Sequence, residues 1–172
     1  MSATGENWPS IGFYQGLSAA SQREVSTPGL EGILELGIVR RGQVLTWADS
    51  AGNAEGAPSF FPDLTAWECS DSSFHLEDFV PVDAATVNDA PVIDEADQRT
   101  LLLYGLNFTL RFARLVHGLD EPTAVRCIIG ANETNATFRF HQVREGEHWN
   151  HPDLDRYQQD RLIVASICPS GT

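Results

Sequence analysis

The sequence predicts an α+β fold in which one long amphipathic helix packs on one face of a mostly antiparallel sheet. The helix is predicted at 96–117, the only long segment whose apolar residues repeat with a helical period. The sheet is predicted from four segments rich in β-branched or alternating apolar residues: 32–48, 123–130, 136–143 and 161–168. A chain of 172 residues is expected to form one domain, at 11–172, after a loose lead-in at 1–10.

The first third of the chain is predicted to consist of strands and loops. Residues 11–17 predict an edge strand that is interrupted by glycines. Residues 32–48 predict a hairpin, because two β-rich runs flank an Arg-Arg-Gly turn. A loop follows at 49–63, and its Phe60–Phe61 pair is expected to pack on the core. The segment LTAWEC at 64–69 predicts a further strand.

Residues 71–97 form an acidic belt. Its carboxylates are Asp71, Glu77, Asp78, Asp83, Asp89, Asp94, Glu95 and Asp97. Adjacent pairs such as Asp94 and Glu95 are candidates for hydrolytic acid and base. Neighbouring positions point in different directions, however, so the simpler interpretation is solubility and capping of the helix that follows.

The long helix has a predicted start, stop and core face. Acidic residues around Asp94 are expected to accept hydrogen bonds from its free N–H groups. Gly118 is expected to end it with a left-handed turn, and His117 just before it is expected to act as a capping cation. The stripe expected to face the core consists of Leu102, Leu103, Leu106, Leu110 and Ala113.

Three strands are predicted after the helix. Residues 136–143 alternate, with Phe138 and Phe140 on one face and polar side chains on the other. Residues 123–130 are expected to be the antiparallel neighbour. The continuous apolar run RLIVASIC at 161–168 is typical of a central strand, one face of which the helix would cover.

Charge and cysteine usage limit the classes of partner. The chain has 24 acidic residues and 11 basic residues, all of them Arg, for a net charge of −13. Such a surface repels phosphate backbones and anionic lipid, so general nucleic-acid binding and membrane binding are not expected. The expected partner is another protein, with a basic protein as the natural candidate. Three separated cysteines, with no apolar leader near Met1, favour a cytoplasmic location.

A polar segment near the C-terminal end is the candidate metal site. His148 and His151 have a spacing that metals use, Asp153 follows, and His141 on the preceding strand is the candidate third imidazole. A divalent metal is the one cofactor that the sequence suggests. The alternative interpretation is a solvated loop, because the helical HExxH arrangement is missing.

Arginines are the candidate anion-binding residues. Arg40 and Arg41 lie at the predicted hairpin tip, where the alternative role is that of solvated turn residues. Arg126 and Arg139 lie within predicted strands, so each needs a carboxylate partner, a surface position or an anionic ligand. The sequence leaves an internal Arg–Asp pair and an anion clamp both open.

Motifs of familiar enzymes are missing, including the glycine-rich nucleotide loops and GxSxG. The segment LLLYGLNFTLRFARLVHGLDEPTAVRCIIGA, Leu101 to Ala131, resembles the helix-then-strand region in the C-terminal part of bacterial Schlafen-type proteins, which are regulators that bind ATP or nucleic acid. The resemblance implies an accessory domain for contact or sensing. It carries over no functional residue, because that family's motifs lie in an N-terminal domain of which this chain has no trace.

The resulting expectation is a non-catalytic intracellular interaction or regulatory domain with an acidic protein-binding surface. One alternative is a small metal-assisted hydrolase that uses His141, His148 and His151. Another is an inhibitor or immunity-type protein that presents carboxylates to a basic enzyme. The sequence leaves the oligomeric state open.

Overall fold

The structure, a computed structural model, describes residues 25–54, 61–83, 85–87 and 90–169. The predicted lead-in at 1–10 and the predicted edge strand at 11–17 lie outside the described residues. The elements in chain order are α1 (Pro28–Leu36), β1 (Ile38–Arg41), β2 (Val44–Trp47), α2 (Leu64–Asp71), β3 (Phe74–His75), β4 (Ala85–Val87), β5 (Ala90–Val92), α3 (Glu95–His117), β6 (Val125–Ala131), β7 (Ala136–Gln142) and β8 (Arg161–Ile167). Helices and antiparallel sheets together confirm the predicted α+β class.

The main sheet has four strands in the order β3-β7-β6-β8, and every neighbouring pair is antiparallel. Cys127 of β6 lies opposite Phe140 of β7 on one side and Ala165 of β8 on the other. The prediction that 161–168 is a central strand is therefore wrong, because β8 is the outermost strand of the described sheet. Most of its side chains are partly exposed, as an edge position allows.

The long helix is confirmed as α3, but its buried face was predicted only in part: Leu102 and Ala113 pack against the core, whereas Leu103 and Leu110 do not. The buried residues are Leu101, Gly105, Phe108, Thr109, Phe112 and Val116. Leu103 is 50% exposed and Leu110 is 63% exposed. Two apolar stripes share one helical period, and the stripe with the two phenylalanines packs inward because aromatic rings bury more apolar area.

Hydrogen bonds fix both ends of α3. Asp94 caps the start, where its Oδ1 accepts a hydrogen bond from the Asp97 N–H at 2.8 Å. Gly118 does not turn left-handed as predicted: its φ is −86°, and its N–H donates to the Arg114 carbonyl at 3.0 Å. His117 Nε2 lies 3.1 Å from the Cys168 carbonyl oxygen, which links the helix end to the chain after β8.

Aromatic rings fill the space between α3 and the sheet. Phe108 and Phe138 have ring centroids 4.8 Å apart, and so do Phe112 and Phe140. Trp47 of β2 lies 5.2 Å from Phe140, edge to face. The hairpin β1–β2 thus contributes to the core although it forms a two-stranded sheet of its own.

Two predicted strands are helices. The first part of the predicted hairpin belongs to α1, where the Thr27 hydroxyl accepts the Leu30 N–H and Pro28 occupies the first turn. Gly37, with φ +72°, ends α1, and the hairpin occupies only the two strands that follow. Residues 64–71 form α2, because Asp63 Oδ1 accepts the Ala66 N–H at 2.7 Å.

Several carboxylates of the acidic belt accept hydrogen bonds within the chain. Glu77 accepts a hydrogen bond from the Ala136 N–H at 3.0 Å, and Asp71 accepts one from the Thr46 hydroxyl at 2.5 Å. Asp97 accepts the Asp83 N–H at 3.2 Å. These contacts, with the Asp94 cap, fasten loops and helix ends to the sheet.

Across the parts of the chain that the structure describes, no helix combines the length and the apolar character needed to cross a bilayer.

Candidate functional site

The sheet has a second face that α3 does not cover, which we call the open face. Side chains alternate along each strand, so Val125, Cys127 and Ile129 point towards α3 and the residues between them point to the open face. The open-face residues of the three long strands are Arg126, Ile128, Gly130, Thr137, Arg139, His141, Leu162, Val164 and Ser166. Two of the predicted binding arginines therefore share this face with His141.

A cavity of ≈ 210 Å³ lies between the open face and the segment that precedes β8. Its lining residues are Ile128, Gly130, Asn132, Asn135, Thr137, Arg139, Trp149, Asn150, Tyr157, Asp160 and Leu162. The lining mixes apolar walls with amide, hydroxyl, carboxylate and guanidinium groups, as sites for small polar molecules do. We call it the open-face cavity.

Arg139 is the cation of this cavity. Its guanidinium carbon lies 5.0 Å from the centre of the Trp149 ring, and Nη2 donates to Thr137 Oγ1 at 3.0 Å. Burial lowers the pKa of Arg139, against a small opposing effect of Cys69. It forms no ion pair with any acidic residue of the described segments. Among these segments, neither Arg126 nor Arg139 forms the internal Arg–Asp pair that the sequence left open.

The other walls of the cavity are held by hydrogen bonds. Asn132 Nδ2 donates to Asp160 Oδ1 at 2.8 Å, while Asn132 Oδ1 accepts the Thr134 and Asn135 N–H groups at 2.8 and 2.9 Å. Asn150 Nδ2 donates to the His151 carbonyl at 3.0 Å. Asn150 Oδ1 is buried and has no hydrogen-bond partner within the described chain.

Arg126 and His141 lie opposite each other on β6 and β7. His141 is only 1% exposed; its Nδ1 lies 2.6 Å from the Gln142 carbonyl oxygen. Its Nε2 and the Arg126 Nε are buried without a partner among the residues that the structure describes. Burial lowers the pKa of His141; the Gln142 carbonyl opposes that effect and the Arg126 charge adds to it.

The structure does not gather the predicted metal ligands. His141 is buried in the sheet, whereas His148, His151 and Asp153 are exposed in the following loop. His151 Nδ1 accepts the Asp153 N–H at 3.0 Å, and its Nε2 lies 3.0 Å from Arg156 Nη1. Within the described ranges, no three His, Cys, Asp or Glu side chains are placed to hold a metal ion.

The two hairpin arginines have different environments. Arg40 donates to Gln142 Oε1 at 2.8 Å and to Thr123 Oγ1 at 2.5 Å, and its Nε lies 3.5 Å from Glu121. These contacts join the hairpin to the main sheet. Arg41 is exposed at the end of β1.

A buried acidic residue that the sequence did not reveal joins three elements. Glu68 of α2 is 0% exposed and accepts the Leu45 and Gln142 N–H groups, both at 2.7 Å. It also accepts Arg144 Nη1 at 2.8 Å and Nη2 at 2.7 Å, a two-pronged ion pair. Because every contact is internal, we interpret Glu68 as a structural residue. If the segment LTAWEC is taken as a helix, Glu68 falls on the side that faces the protein interior.

The sequence also did not single out the aromatic and amide side of the open-face cavity. Trp149, Asn150 and Tyr157 lie in a segment that reads as a polar loop. The available indication was Trp149 itself, a large aromatic residue amid charged neighbours.

The side of α3 that points away from the sheet is the second candidate site, which we call the outer face of α3. It consists of Arg99, Leu103, Leu106, Leu110 and Arg114, which follow three- and four-residue steps. Residues 98–119 contain no Asp or Glu, although the chain as a whole has 24. This face is therefore apolar at its centre, with an exposed arginine, Arg114, at one end and Arg99, paired with Glu95, at the other.

Comparison with known proteins gives a family and no individual relative. The model of a family described as "Uncharacterized protein PM0498 family" matches residues 13–170. No curated protein and no solved structure matches the chain. The resemblance of Leu101 to Ala131 to Schlafen-type regulators remains a prediction.

Proposed function

We propose that this chain, which belongs to the Uncharacterized protein PM0498 family, is a non-catalytic interaction domain whose protein partner docks on the outer face of α3. The observation that carries the proposal is the exposure of Leu103 and Leu110, at 50% and 63%. They lie seven residues apart and point the same way, with Leu106 between them. A leucine stripe of this kind is the usual docking surface for an amphipathic helix.

The charges at the two ends of the stripe define the partner. Arg114 is exposed and has no ion pair in the described part of the chain, while Arg99 pairs with Glu95 at 2.7 Å. A helix with leucines at matching spacing and carboxylates on either side of them would bury the apolar stripe and oppose the arginines. The partner is therefore an apolar helix flanked by acidic residues, rather than the basic protein that net charge alone suggests.

The acidic belt is the weaker contact surface, because Glu77, Asp94 and Asp97 already accept internal hydrogen bonds. All three cysteines are unpaired, which supports the proposal of an intracellular location. The scattered positions of His141, His148 and His151 give the hydrolase alternative no support.

The proposal is tested with a designed helical peptide that carries leucines at i, i+3 and i+7 with glutamates before and after them. Fluorescence anisotropy should show binding that weakens as salt is raised, because the flanking pairs are exposed to solvent. A peptide of the same composition in scrambled order, and one with Lys in place of Glu, should bind weakly or not at all.

The matched protein variants are Leu103→Gln/Leu110→Gln and, as control, Leu36→Gln, an exposed leucine on α1. The double variant should lose binding by about tenfold or more, the equivalent of about 1.4 kcal/mol, and the control should not. Absence of binding to the wild-type chain contradicts the proposal. So does sedimentation showing that a second copy of the chain already occupies the leucine stripe.

A further inference from the structure

The open-face cavity contains a half-buried cation, Arg139, that forms no direct ion pair with a carboxylate of the described residues. Arg139 contacts the Trp149 ring and the Thr137 hydroxyl, yet no carboxylate of the described residues pairs with it. Acidic residues outnumber basic ones by 24 to 11, so carboxylates are not scarce. A guanidinium removed from water without an anion is costly, and an anionic ligand would relieve that cost.

The same cavity contains side-chain oxygens that accept hydrogen bonds, and one of them has no donor within the described chain. Asn150 Oδ1 is buried and unpartnered within the described chain, and an acceptor left in that state loses its hydrogen bonds to water without replacement. Asp160, whose Oδ1 accepts a hydrogen bond from Asn132, supplies a negative charge to the lining. A ligand that fits these groups therefore bears both a negative group and a donor group.

The volume and the apolar walls of the cavity restrict the class of ligand further. The volume of ≈ 210 Å³ lies below the range of about 300–1,000 Å³ that is usual for drug-sized ligands and cofactors. Ile128 and Leu162 supply an aliphatic wall from adjacent strands. A small molecule with one short side chain suits this space.

We propose that the open-face cavity binds a free α-amino acid. Its carboxylate pairs with Arg139, its ammonium group donates to Asn150 Oδ1 and Asp160, and its side chain packs against Ile128 and Leu162. The site lies on the opposite side of the sheet from α3. Neither proposal depends on the other.

The experiment is titration calorimetry of the full chain with each of the common L-amino acids. At least one should bind, and Arg139→Gln should weaken its binding by about tenfold or more, as expected for loss of a charge-assisted hydrogen bond. Arg139→Lys should recover only part of the affinity, because Lys lacks the planar fork that stacks on Trp149. Arg41→Gln removes an exposed arginine from the hairpin and should leave affinity unchanged.

Analogues of the best-bound amino acid test the two charges separately. The amine without the carboxylate, and the acid without the amine, should each bind about tenfold more weakly. Asn150→Ala is the second variant, in case Arg139→Gln unfolds the chain, and it should also weaken binding. Absence of binding by every amino acid overturns the proposal, as does affinity that neither variant changes. Inorganic phosphate binding as tightly as the best amino acid would show a general anion site and would also overturn it.

Discussion

Gly105 shows how one residue sets the distance between the long helix and the sheet. A Cβ at this position would lie 2.6 Å from Cγ2 of Ile129 and 3.1 Å from Cδ1 of Leu76. Real Cβ atoms essentially never approach another atom as closely as 2.6 Å, so a side chain at this position would force Ile129 or α3 itself to shift. The close approach lets Phe108 and Phe112 reach the sheet's aromatic rings.

We therefore expect Gly105→Ala to lower the free energy of unfolding by about 1–3 kcal/mol, the usual cost of overpacking a core. Gly32→Ala is the matched control, because that helical glycine is exposed and its added Cβ meets nothing within 4 Å. The control should raise the free energy by about 0.5–1 kcal/mol. Urea denaturation measures both; changes of the same sign would contradict the packing described.

Glu68 gives a second prediction at the residue scale. Glu68→Gln removes the two-pronged carboxylate partner of Arg144 and leaves it with the more distant Glu147, at 3.9 Å, so we expect the free energy of unfolding to fall by about 3–5 kcal/mol, as for other buried pairs broken on one side. Glu95→Gln makes the same chemical change at an exposed carboxylate that pairs with Arg99 and Arg161, and it should cost far less. Thermal and urea unfolding compare the two. Equal losses would mean that Glu68 is not buried in this network.

We expect the titration of His141 to make the free energy of unfolding depend on pH. Burial lowers its pKa in the folded chain; the Gln142 carbonyl and Glu68 act against that shift, and Arg126 and Arg144 add to it. The unfolded chain, with a pKa near 6.5, binds the proton first, so His141 favours unfolding as pH falls below about 6.5.

His141→Gln removes that titration, so the variant should lose less stability than the wild type between neutral and mildly acidic pH. Urea midpoints measured across the range provide the comparison, with exposed His148→Gln as control. Parallel profiles for the wild type and His141→Gln would show that His141 is not held neutral.

At the scale of elements, periodicity located α3 but not its inward face. Leu103 and Leu110 repeat with the same period as Phe108 and Phe112, and only packing against the sheet distinguishes the two stripes. The short segments at 32–36 and 64–69 are apolar enough to suggest strands. Their N-caps, Thr27 and Asp63, were the better indication, because each satisfies a free N–H of a first helical turn.

The two stripes of α3 differ in what they contribute to stability. Phe112→Ala should lower the free energy of unfolding by about 3–5 kcal/mol, because the ring is fully buried between Trp47 and Phe140. Leu110→Ala should change it by no more than about 0.5 kcal/mol, as for other exposed positions. The two variants are compared by urea denaturation. A large loss of unfolding free energy from Leu110→Ala would show that Leu110 packs in the core, as the helical period first suggested.

For the whole molecule, the sequence was sufficient for the fold class, the long helix and the pairing of 123–130 with 136–143. The order of strands was not accessible, because RLIVASIC reads the same at an edge as in the centre of a sheet. The site was accessible only in part. The alternation of side chains placed Arg139 and His141 on one face of the sheet. The cavity also needs Trp149, Asn150 and Asp160, which lie in the segment between β7 and β8 and reach the cavity only when that segment folds against the sheet.

Chemical-shift mapping on the isotopically labelled chain tests most directly whether the outer face of α3 is the contact surface. On addition of the glutamate-flanked leucine peptide, we expect shifts at the amides of Arg99 to Arg114, with little change around Arg139 and Trp149 on the other side of the sheet. Shifts confined to the acidic belt or to the open face would contradict it.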